Sequence, residues 1–383
     1  MPVSTVLLFI LSVLVGIILY TYVFYPVLLS LITGDSQSAL LKEEPTVTLV
    51  IAAYNEEDII EEKIENSLRI EYPDEKMNIL VFSDASSDRT DDLVRSYTSE
   101  GVEFIRIEGR VGKTECQNRV VKQLETDLVV FSDANSLYHP TAIRKLVRRF
   151  SGEVACVVGE LRYYQSDDIV EGESIYWQYE RLIRNLESRV GSVVKGNGAI
   201  YAVKRSKYVP LPPDLISDFA EPLAIRSDGC KIKYEPDAVA YERTSTSMAD
   251  ELARKVRIIT RSWFALRHYR RLMNPFRYGF YSLQVASRTI LWWCSPLLLI
   301  AILIIALLLL LVNPSPFPLF VLCGYGILCT LGSIGFVLDA SGQRIPTVVH
   351  VPYYYLTINY GLLIGLMRFI QGDKIVTWET HDR

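Results

Sequence analysis

The sequence predicts an α/β protein with a doubly wound sheet and with apolar helices at both ends of the chain. Between residues 46 and 245, short apolar runs alternate with segments of helical periodicity, an order typical of a parallel sheet. Residues 3–31 carry no charged side chain, and three more apolar stretches lie near the other end. Half of the 383 residues are hydrophobic, so part of the chain belongs in a membrane.

The first predicted element is a helix of spanning length. Residues 3–31 are enough to cross a hydrocarbon core of about 30 Å. A cleaved signal peptide, the alternative, would have a basic start, a shorter apolar core and a small-residue cleavage site, and this sequence has none of them. We therefore expect a retained transmembrane helix in residues 1–34 and a polar linker in residues 35–45.

The first half of the sheet follows the linker. Residues 46–54 form a continuous apolar, β-branched run, the pattern of a strand buried on both faces. Acids directly after this run favour the start of a helix. The further elements expected in this half are strands at residues 79–82, 102–107 and 128–131 and a helix at residues 114–124.

The second half continues the same alternation. The elements expected are a basic helix after Pro140, strands at residues 154–158, 199–203, 231–234 and 238–241, a helix at residues 169–190 and a helix beginning near Ser217. Gly196 and Gly198 precede one of these strands. Such glycines favour either a close approach of the backbone to a ligand or a plain turn.

Two predicted strands end in polar side chains. Asp84 follows the strand at residues 79–82, and Asp133 and Asn135 follow the strand at residues 128–131. Because the carboxyl ends of parallel strands meet at one edge of a sheet, we expect these oxygens to face a common ligand or cation. A polar turn that merely ends a strand is the alternative for Asp133 and Asn135.

The tail holds three stretches of spanning length, residues 290–312, 317–338 and 348–370. The third contains His350, Pro352 and Asn359, so we expect it to face other helices or to lie in the interface. Residues 254–277 contain eight Lys or Arg and no acid, a bias that marks the cytoplasmic side. The α/β domain is therefore expected to face the cytoplasm, with the N-terminus outside. The six cysteines show no paired metal-type or redox-type spacing, which indicates reduced thiols.

At its polar sites the sequence resembles the membrane-bound, inverting family-two glycosyltransferases with a GT-A domain, the superfamily of the cellulose, hyaluronan and poly-N-acetylglucosamine synthases. The matching segments occur in the family's order within residues 46–263. They are Thr48 to Glu57, Ser83 to Asp88, Gly112-Lys113, Phe131 to Asn135 and Ser217 to Phe219. The resemblance implies a Rossmann-like GT-A fold that binds a nucleotide-sugar.

The resemblance assigns a donor-binding role to four side chains. Tyr54 and Glu56 would hold the base and ribose of the nucleotide, with helix capping as the alternative. Asp84 would accept a hydrogen bond from the imide N–H of the base, which points to a UDP-linked sugar. Lys113 would meet the diphosphate as a point charge, and the alternative is an ordinary exposed lysine.

The resemblance also implies a divalent cation and a general base. Asp133 and Asn135 stand at the family's DXD motif and would ligate Mg²⁺ or Mn²⁺ through oxygen. Asn135 replaces the second acid, so we expect weaker metal binding. Asp218 matches the catalytic acid that deprotonates the acceptor hydroxyl, with helix N-capping as its alternative. Glu221, three residues on, is expected to be a capping-box partner.

The basic segment contains a partial match to the family's Gln-x-x-Arg-Trp motif. Arg254 replaces the glutamine and Ile258 replaces the tryptophan, and Arg257 would stabilise the diphosphate leaving group. Because Ile258 offers no flat face to an acceptor sugar, we expect the addition of one or a few sugars rather than a long polymer.

The predicted function is the transfer of a sugar from a UDP-linked nucleotide-sugar to a lipid-linked or saccharide acceptor, by an integral membrane enzyme that does not bind nucleic acid. A processive polysaccharide synthase is the alternative within the superfamily. A transporter or scaffold with an inactive nucleotide-binding domain is the alternative of another class. The expected parts are a helix at 1–34, a linker at 35–45, a GT-A domain at 46–245, a basic interfacial segment at 246–286, a transmembrane region at 287–372 and a polar tail at 373–383.

Overall fold

The computed structural model describes residues 2–32, 41, 44–164, 175–243 and 248–377. Most of the expected linker and residues 378–383 lie outside this part of the chain. The strands are β1 (Val47–Ala53), β2 (Met77–Ser83), β3 (Val102–Arg106), β4 (Leu128–Asp133), β5 (Leu137–Tyr138), β6 (Val154–Tyr164), β7 (Tyr201–Lys204) and β8 (Lys231–Arg243).

The helices fall into a group that lies between or directly after the strands in the sequence and a group that is largely apolar. Those between or directly after the strands are α3 (Ile60–Leu68), α4 (Thr90–Ser96), α5 (Lys113–Val121), α6 (Ala142–Arg148), α7 (Ile175–Val190), α8 (Ser217–Ser227) and α9 (Met248–His268). The others are α1 (Val3–Leu19), α2 (Tyr25–Ile32), α10 (Pro275–Tyr278), α11 (Phe280–Val285), α12 (Ser295–Val312), α13 (Pro316–Ala340) and α14 (Thr347–Gln371).

One mixed sheet contains the eight strands in the order β3-β2-β1-β4-β7-β6-β8-β5. The predicted α/β class is confirmed, and β3, β2, β1 and β4 are parallel. The expectation of a sheet that is parallel throughout was wrong, because β7 runs antiparallel to both β4 and β6, and β5 runs antiparallel to β8. Helix α7 lies between β6 and β7, but the chain enters β7 through residues 191–200 from the end of the sheet at which β6 finishes, so β7 runs back along β6 rather than parallel to it.

The sheet has a hydrophobic core on each face. Strand β1 is buried along its whole length, as its continuous apolar run predicts. Leu49 and Ile51 pack into one core with the helices α3 and α6, and Val50 and Ala52 pack into the other with α5. The strand therefore fixes the middle of the sheet from both sides, and its last residue, Ala53, delivers the chain to the edge where the polar segments gather.

Three helical segments of the described chain are long and apolar enough to cross a membrane: Val3–Ile32, Ser295–Val312 and Pro316–Ala340. The third predicted tail stretch forms α14, which is not among them. It buries Asn359, whose side-chain oxygen accepts a hydrogen bond from Ser295 at 2.6 Å. Glycines allow close helix packing, since a Cβ at Gly365 would lie 2.7 Å from Ile259.

The chain divides into two compact units. One combines Met1–Leu28, Met248–Thr260 and Val285–Asp373, and thus most of the apolar helices. The other combines Leu29–Ser247, Arg261–Gln284 and Lys374–Arg383, and thus the sheet with its covering helices. All the polar strand ends lie in the second unit.

Candidate active site

The loops after β1 and β2 are held together by hydrogen bonds. The N–H of Asn55 donates to Ser86 at 3.1 Å, and the N–H of Ser87 donates back to the Asn55 side chain at 2.8 Å. Asp88 accepts from the N–H groups of Glu57 and Thr90 at 3.1 and 3.0 Å, so it supports the start of α4. These bonds fix the loop that carries Tyr54 and Glu56.

Backbone strain is concentrated at this edge of the sheet. Among the described residues, the non-glycine residues with positive φ are Asn55, Ala85 and Arg110, and they follow β1, β2 and β3 respectively. Such conformations cost of the order of 1–3 kcal/mol each and cluster at functional sites. The strained residues after these three neighbouring parallel strands thus indicate a functional site at this edge of the sheet.

Asp84 is completely buried and ties the Gly112 loop to the end of β2. Its carboxylate accepts hydrogen bonds from the backbone N–H groups of Val111 and Gly112 at 2.8 and 3.0 Å. The guanidinium of Arg110 lies 3.3 Å from the same carboxylate and 3.2 Å from the centre of the Tyr54 ring. The sequence reasoning missed Arg110, and its only signal was a basic residue between two glycines.

Lys113 and Asp133 form an ion pair at the centre of the site. Lys113 is the first residue of α5, after Gly112 in a left-handed conformation. Asp133 ends β4 and is half-buried, as is Asn135 two residues later. The structure therefore brings together two side chains that the sequence placed in separate motifs.

Gly198 marks the point where three motifs meet. A Cβ at this position would lie 3.2 Å from the Oδ2 atom of Asp218, 3.4 Å from the Oδ2 atom of Asp133 and 3.6 Å from the Nζ atom of Lys113. A Cβ at Gly196 would overlap the main-chain oxygen of Asp218. Both glycines therefore allow a close approach between their backbone and Asp218, and Gly198 also allows one to Asp133 and Lys113.

Asp218 is half-buried in the first turn of α8. The N-cap of this helix is Ile216, without a side-chain cap, so helix capping does not explain Asp218. Within the described chain its Oδ1 atom has no hydrogen-bond partner. Burial raises the pKa of the Asp218 carboxyl, as does Asp133, whereas Lys113, Arg261 and the backbone of Gly198 lower it.

Glu221 lies one turn further along α8 and is fully buried. Its Oε1 atom accepts from the backbone N–H of Val209 at 3.2 Å. The expected capping-box role was wrong, because the N-cap is Ile216 and Glu221 is therefore the fifth residue of the helix rather than the third. Burial raises the pKa of Glu221 to about 8. This carboxyl is therefore protonated at neutral pH, unlike an active-site nucleophile or metal ligand.

Arg261 is a second residue that the sequence reasoning missed. Its Nη2 atom donates to Thr114 Oγ1 at 3.2 Å and to the main-chain oxygens of Pro213 and Leu215 at 3.2 and 2.5 Å. It thereby joins the first turn of α5 to the loop that enters α8. Arg261 lies in the same basic segment as Arg257, and the sequence motif assigned a role to Arg257 alone. Arg257 belongs to the other compact unit, and its role stays a prediction.

A buried lysine contacts the segment that follows Asp133. Lys63 in α3 is fully buried, donates to the main-chain oxygen of Ser136 and lies 4.1 Å from the centre of the Tyr138 ring. Burial lowers the pKa of Lys63 to about 7, against the opposing effect of Asp133 and Glu242. The amphipathic pattern of α3 gave no indication of this contact.

The oxygen atoms at this strand end suit a hard divalent cation that is bound partly by the protein and partly by the diphosphate of a substrate. No group of three or more His, Cys, Asp or Glu side chains in the described residues forms a ready-made metal site. Asp133 and Asn135 offer one carboxylate and one amide oxygen at the same strand end. Mg²⁺ is commonly held by one or two carboxylates together with phosphate oxygens of a ligand, so these residues fit a cation that a diphosphate helps to bind.

The C-terminal segment lies beside the same loop. Lys374 pairs with Asp214 at 2.7 Å, and a Cβ at Gly112 would lie 2.5 Å from the main-chain oxygen of Val376. Residues 374–377 therefore cover the back of the Gly112 turn.

Comparison with known sequences identifies relatives of the sheet-forming region. Residues 48–204 match the family model described as Glycosyl transferase family 2. The poly-beta-1,6-N-acetyl-D-glucosamine synthase of Staphylococcus aureus (strain MSSA476) is 28% identical over 205 residues, which cover 51% of this chain and 49% of the relative. The synthase of the same name from Staphylococcus epidermidis is 23% identical over 245 residues, covering 57% and 59%. The chain spans about half the length of these curated relatives.

A solved structure matches nearly the whole chain. It is the mannosyltransferase PcManGT from Pyrobaculum calidifontis in complex with GDP-Man and Mn²⁺, with a TM-score of 0.72 and 17% identity over 95% of this chain and 99% of that one. At this identity the similarity shows the fold alone, and it confirms the predicted GT-A fold.

Proposed function

We propose that the chain, whose residues 48–204 match the family model described as Glycosyl transferase family 2, transfers a sugar from a UDP-linked nucleotide-sugar to a lipid-linked or saccharide acceptor. The observation that carries this proposal is the convergence of Lys113, Asp133 and Asp218 around Gly198. An ammonium group suits a diphosphate, and a carboxylate held next to it suits the deprotonation of an acceptor.

In this mechanism Asp218 is the general base. It takes the proton from the acceptor hydroxyl as that oxygen attacks the anomeric carbon of the donor. The bond from that carbon to the diphosphate breaks, its electron pair leaves with the nucleoside diphosphate, and the anomeric carbon is inverted. The raised pKa of Asp218 supports this role, because a base works best when its pKa approaches the working pH.

The donor-binding residues are Tyr54, Glu56, Asp84 and Lys113. Tyr54 and Glu56 lie on the loop after β1, beside the loop anchored by Asp84. The Asp84 carboxylate orders the Gly112 turn through two backbone amides, and its remaining lone pairs serve the imide N–H of the base. Lys113 contacts the diphosphate once this group enters, and Arg257 assists the leaving group.

Asp133 and Asn135 would hold a divalent cation, Mg²⁺ or Mn²⁺, which would supply charge neutralisation for the departing diphosphate. The structurally similar mannosyltransferase is described in complex with Mn²⁺, which supports the assignment. Lys113 pairs with the Asp133 carboxylate and so holds a positive charge at the same strand end.

A panel of nucleotide-sugars tests the proposal. The purified full chain is incubated with UDP-N-acetylglucosamine, UDP-glucose, UDP-galactose or GDP-mannose and with a lipid extract as acceptor, and free nucleotide is measured. We expect one UDP-sugar to release UDP in an acceptor-dependent manner. Release from GDP-mannose alone would overturn the choice of base, and no acceptor-dependent release from any donor would overturn sugar transfer.

The second candidate is a processive polysaccharide synthase. The names of the sequence relatives favour it, whereas Ile258 in place of a tryptophan favours the addition of one or a few sugars. A radiolabelled donor distinguishes the two: short products support limited addition, and a ladder that reaches high polymer at limiting enzyme supports the synthase.

Its three apolar helices make the chain a membrane protein, and we place the sheet domain in the cytoplasm because of the basic residues 254–277. Residues 374–377 contact the sheet domain, so the C-terminus shares its side, and α12 and α13 cross while α14 does not. Labelling of a cysteine appended to the C-terminus checks this arrangement: protection in intact cells is expected, and labelling from outside would contradict it.

A further inference from the structure

Four exposed arginines lie close in sequence to an exposed phenylalanine, between the last turn of α9 and α10. Arg267, Arg270, Arg271 and Arg277 are all exposed, and Phe276 between them is 100% exposed. We call these five residues the arginine patch. The whole patch lies within Arg261–Gln284, a segment of the unit that contains the sheet.

The exposure of Phe276 is built into the local structure. Leu272 and Tyr278, on either side of it, are buried. The side chain of Asn274 caps α10 by accepting from the N–H of Phe276 at 3.0 Å, and Pro275 occupies the first helical position. Phe276 therefore stands on a fixed, short helix whose neighbours are anchored in the protein.

This degree of exposure is unusual within the same unit. Beyond the leading helix, the other large apolar side chains exposed there among the described residues are Leu68, Leu182 and Leu283, and none exceeds 51%. A fully exposed phenylalanine on a rigid turn indicates a surface that is covered in use. Phe276 is one exposed aromatic ring with arginines on both sides of it in the sequence. A surface that covers this region therefore has to be both apolar and anionic.

The charge of the patch has no internal compensation. Residues 252–284 contain no Asp or Glu. None of the four arginines forms an ion pair with a described residue, whereas many other arginines of the same unit do so. The patch is therefore available for an external anion. Arginine suits phosphate particularly well, since its planar fork can donate two parallel hydrogen bonds.

We propose that the arginine patch binds the headgroups of anionic bilayer phospholipids while Phe276 enters the boundary between headgroups and acyl chains. Aromatic and basic side chains on one surface are the usual composition of an interfacial anchor. Fewer than twenty residues separate Arg277 from Ser295, where the apolar helix α12 begins. The chain itself thus keeps the patch near a bilayer, which favours a lipid over a soluble polyanion.

The test measures lipid binding by the full chain in neutral detergent. Short-chain dioctanoyl phosphatidylglycerol and dioctanoyl phosphatidylcholine are titrated, and bound lipid is counted by native mass spectrometry. The variants are R270Q/R271Q/R277Q and Phe276→Ser. The matched control is K122Q/R205Q/K207Q, which removes three exposed cations elsewhere on the same unit.

We expect the natural chain to bind phosphatidylglycerol more tightly than phosphatidylcholine. The triple patch variant should weaken phosphatidylglycerol binding by about 100-fold, from a contribution of about 1 kcal/mol for each basic residue near an anionic surface. Phe276→Ser should weaken binding of both lipids, and the control should change neither. Donor turnover in detergent should be unchanged in all variants, so a failure here is distinct from a failure of the proposed function.

Two results would overturn the inference. One is equal binding of the two lipids by the natural chain, or equal binding of phosphatidylglycerol by the natural chain and the triple patch variant. The other is displacement of phosphatidylglycerol by glycerol phosphate or a short oligonucleotide at similar concentration, together with no effect of Phe276→Ser, because the patch would then be a general polyanion site.

Discussion

The parallel half of the sheet and its mixed half build their parts of the site in different ways. In the parallel half, Tyr54, Asp84 and Asp133 each lie at or next to the end of their own strand. In the mixed half, Asp218 acquires its surroundings from Gly196 and Gly198, twenty residues or more earlier in the chain, and from Arg261, far later. The proposed donor-binding residues are thus placed by local strand ends, whereas the proposed base is placed by long-range packing.

The two halves also treat their acids differently. Asp133 pairs with Lys113, and Asp84 accepts hydrogen bonds from two backbone amides and lies beside Arg110. In the mixed half, Asp218 has an oxygen without a hydrogen-bond partner in the described chain and a raised pKa. The first arrangement suits the binding of cations and N–H groups, and the second suits the acceptance of a proton.

The largest expected effect comes from removing the cation. Chelation with EDTA, or the substitution Asp133→Ala, should abolish turnover, because the diphosphate then leaves without charge neutralisation. Re-addition of Mg²⁺ or Mn²⁺ should restore the chelated enzyme and leave Asp133→Ala inactive. Asp127→Ala, at the opposite end of β4, is the matched control, since the Asp127 carboxylate accepts hydrogen bonds from Thr46. Full activity after chelation would remove the cation from the mechanism.

A smaller effect is expected from adding a methyl group at Gly198, where Asp133 of the parallel half lies close to Asp218 of the mixed half. Gly198→Ala would bring a methyl group to 3.2 Å from Asp218 and 3.4 Å from Asp133. A shift of about 1 Å in a catalytic group costs about 10²-fold in rate, so kcat should fall by about that factor with little change in Tm. Gly191→Ala, in the same loop but with open space around it, should behave like the natural chain. Equal rates for the two variants would show that the convergence is not catalytic.

The next effect concerns Arg261, whose charge lowers the pKa of Asp218. Arg261→Gln removes that charge, so the pKa of the base should rise and the acidic limb of the kcat profile should move to higher pH. We expect about a tenfold loss of kcat, a modest share of the 10²–10⁴-fold contribution of a positioned base. Arg261→Lys should restore the position of the acidic limb. A limb that stays in place in Arg261→Gln would reduce Arg261 to a structural role.

The smallest effect on activity is expected from Glu221. Its pKa rises from 4.5 to about 8 on folding, so the folded state binds a proton more tightly than the unfolded state does. The resulting stability is complete below pH 4.5 and is lost as the pH rises through 8. Glu221→Gln should therefore remove the decline in Tm between pH 5 and pH 8 attributable to this group, while turnover at pH 7 stays nearly unchanged. Parallel Tm profiles for both chains would contradict the assignment.

The contrast between the halves also explains what the sequence could predict. Strand β1 and the motif residues at the ends of β1, β2 and β4 follow from short apolar runs and the polar residues next to them. The direction of β7 did not follow, because a strand–helix–strand order indicates a parallel crossover, whereas the chain that passes through α7 enters β7 antiparallel to β6 and β4. The helix start at Ser217 was predicted, but the contact between Gly198 and Asp218 depends on packing between distant segments.

The residues that were missed share one property. Lys63, Arg110 and Arg261 are cations whose roles depend on main-chain oxygens, a ring or a carboxylate supplied by other segments. Lysine and arginine are ordinary surface residues by composition, so burial alone reveals them. Phe276 is the reverse case, because an aromatic residue is expected in a core and only the structure shows that it is exposed.

The central claim, that the parallel half binds the donor and the mixed half removes the proton, is tested most directly by comparing Asp84→Asn with Asp218→Asn. Nucleotide affinity is measured by calorimetry and turnover by nucleotide release, on the same folded preparations. Asp84→Asn should weaken nucleotide binding by about 10-fold or more, as expected for a lost charge-assisted hydrogen bond. Asp218→Asn should bind the nucleotide almost as the natural chain does while its turnover falls by about 10²–10⁴-fold. An Asp218→Asn variant that loses affinity as much as turnover, or that keeps its turnover, would contradict the account.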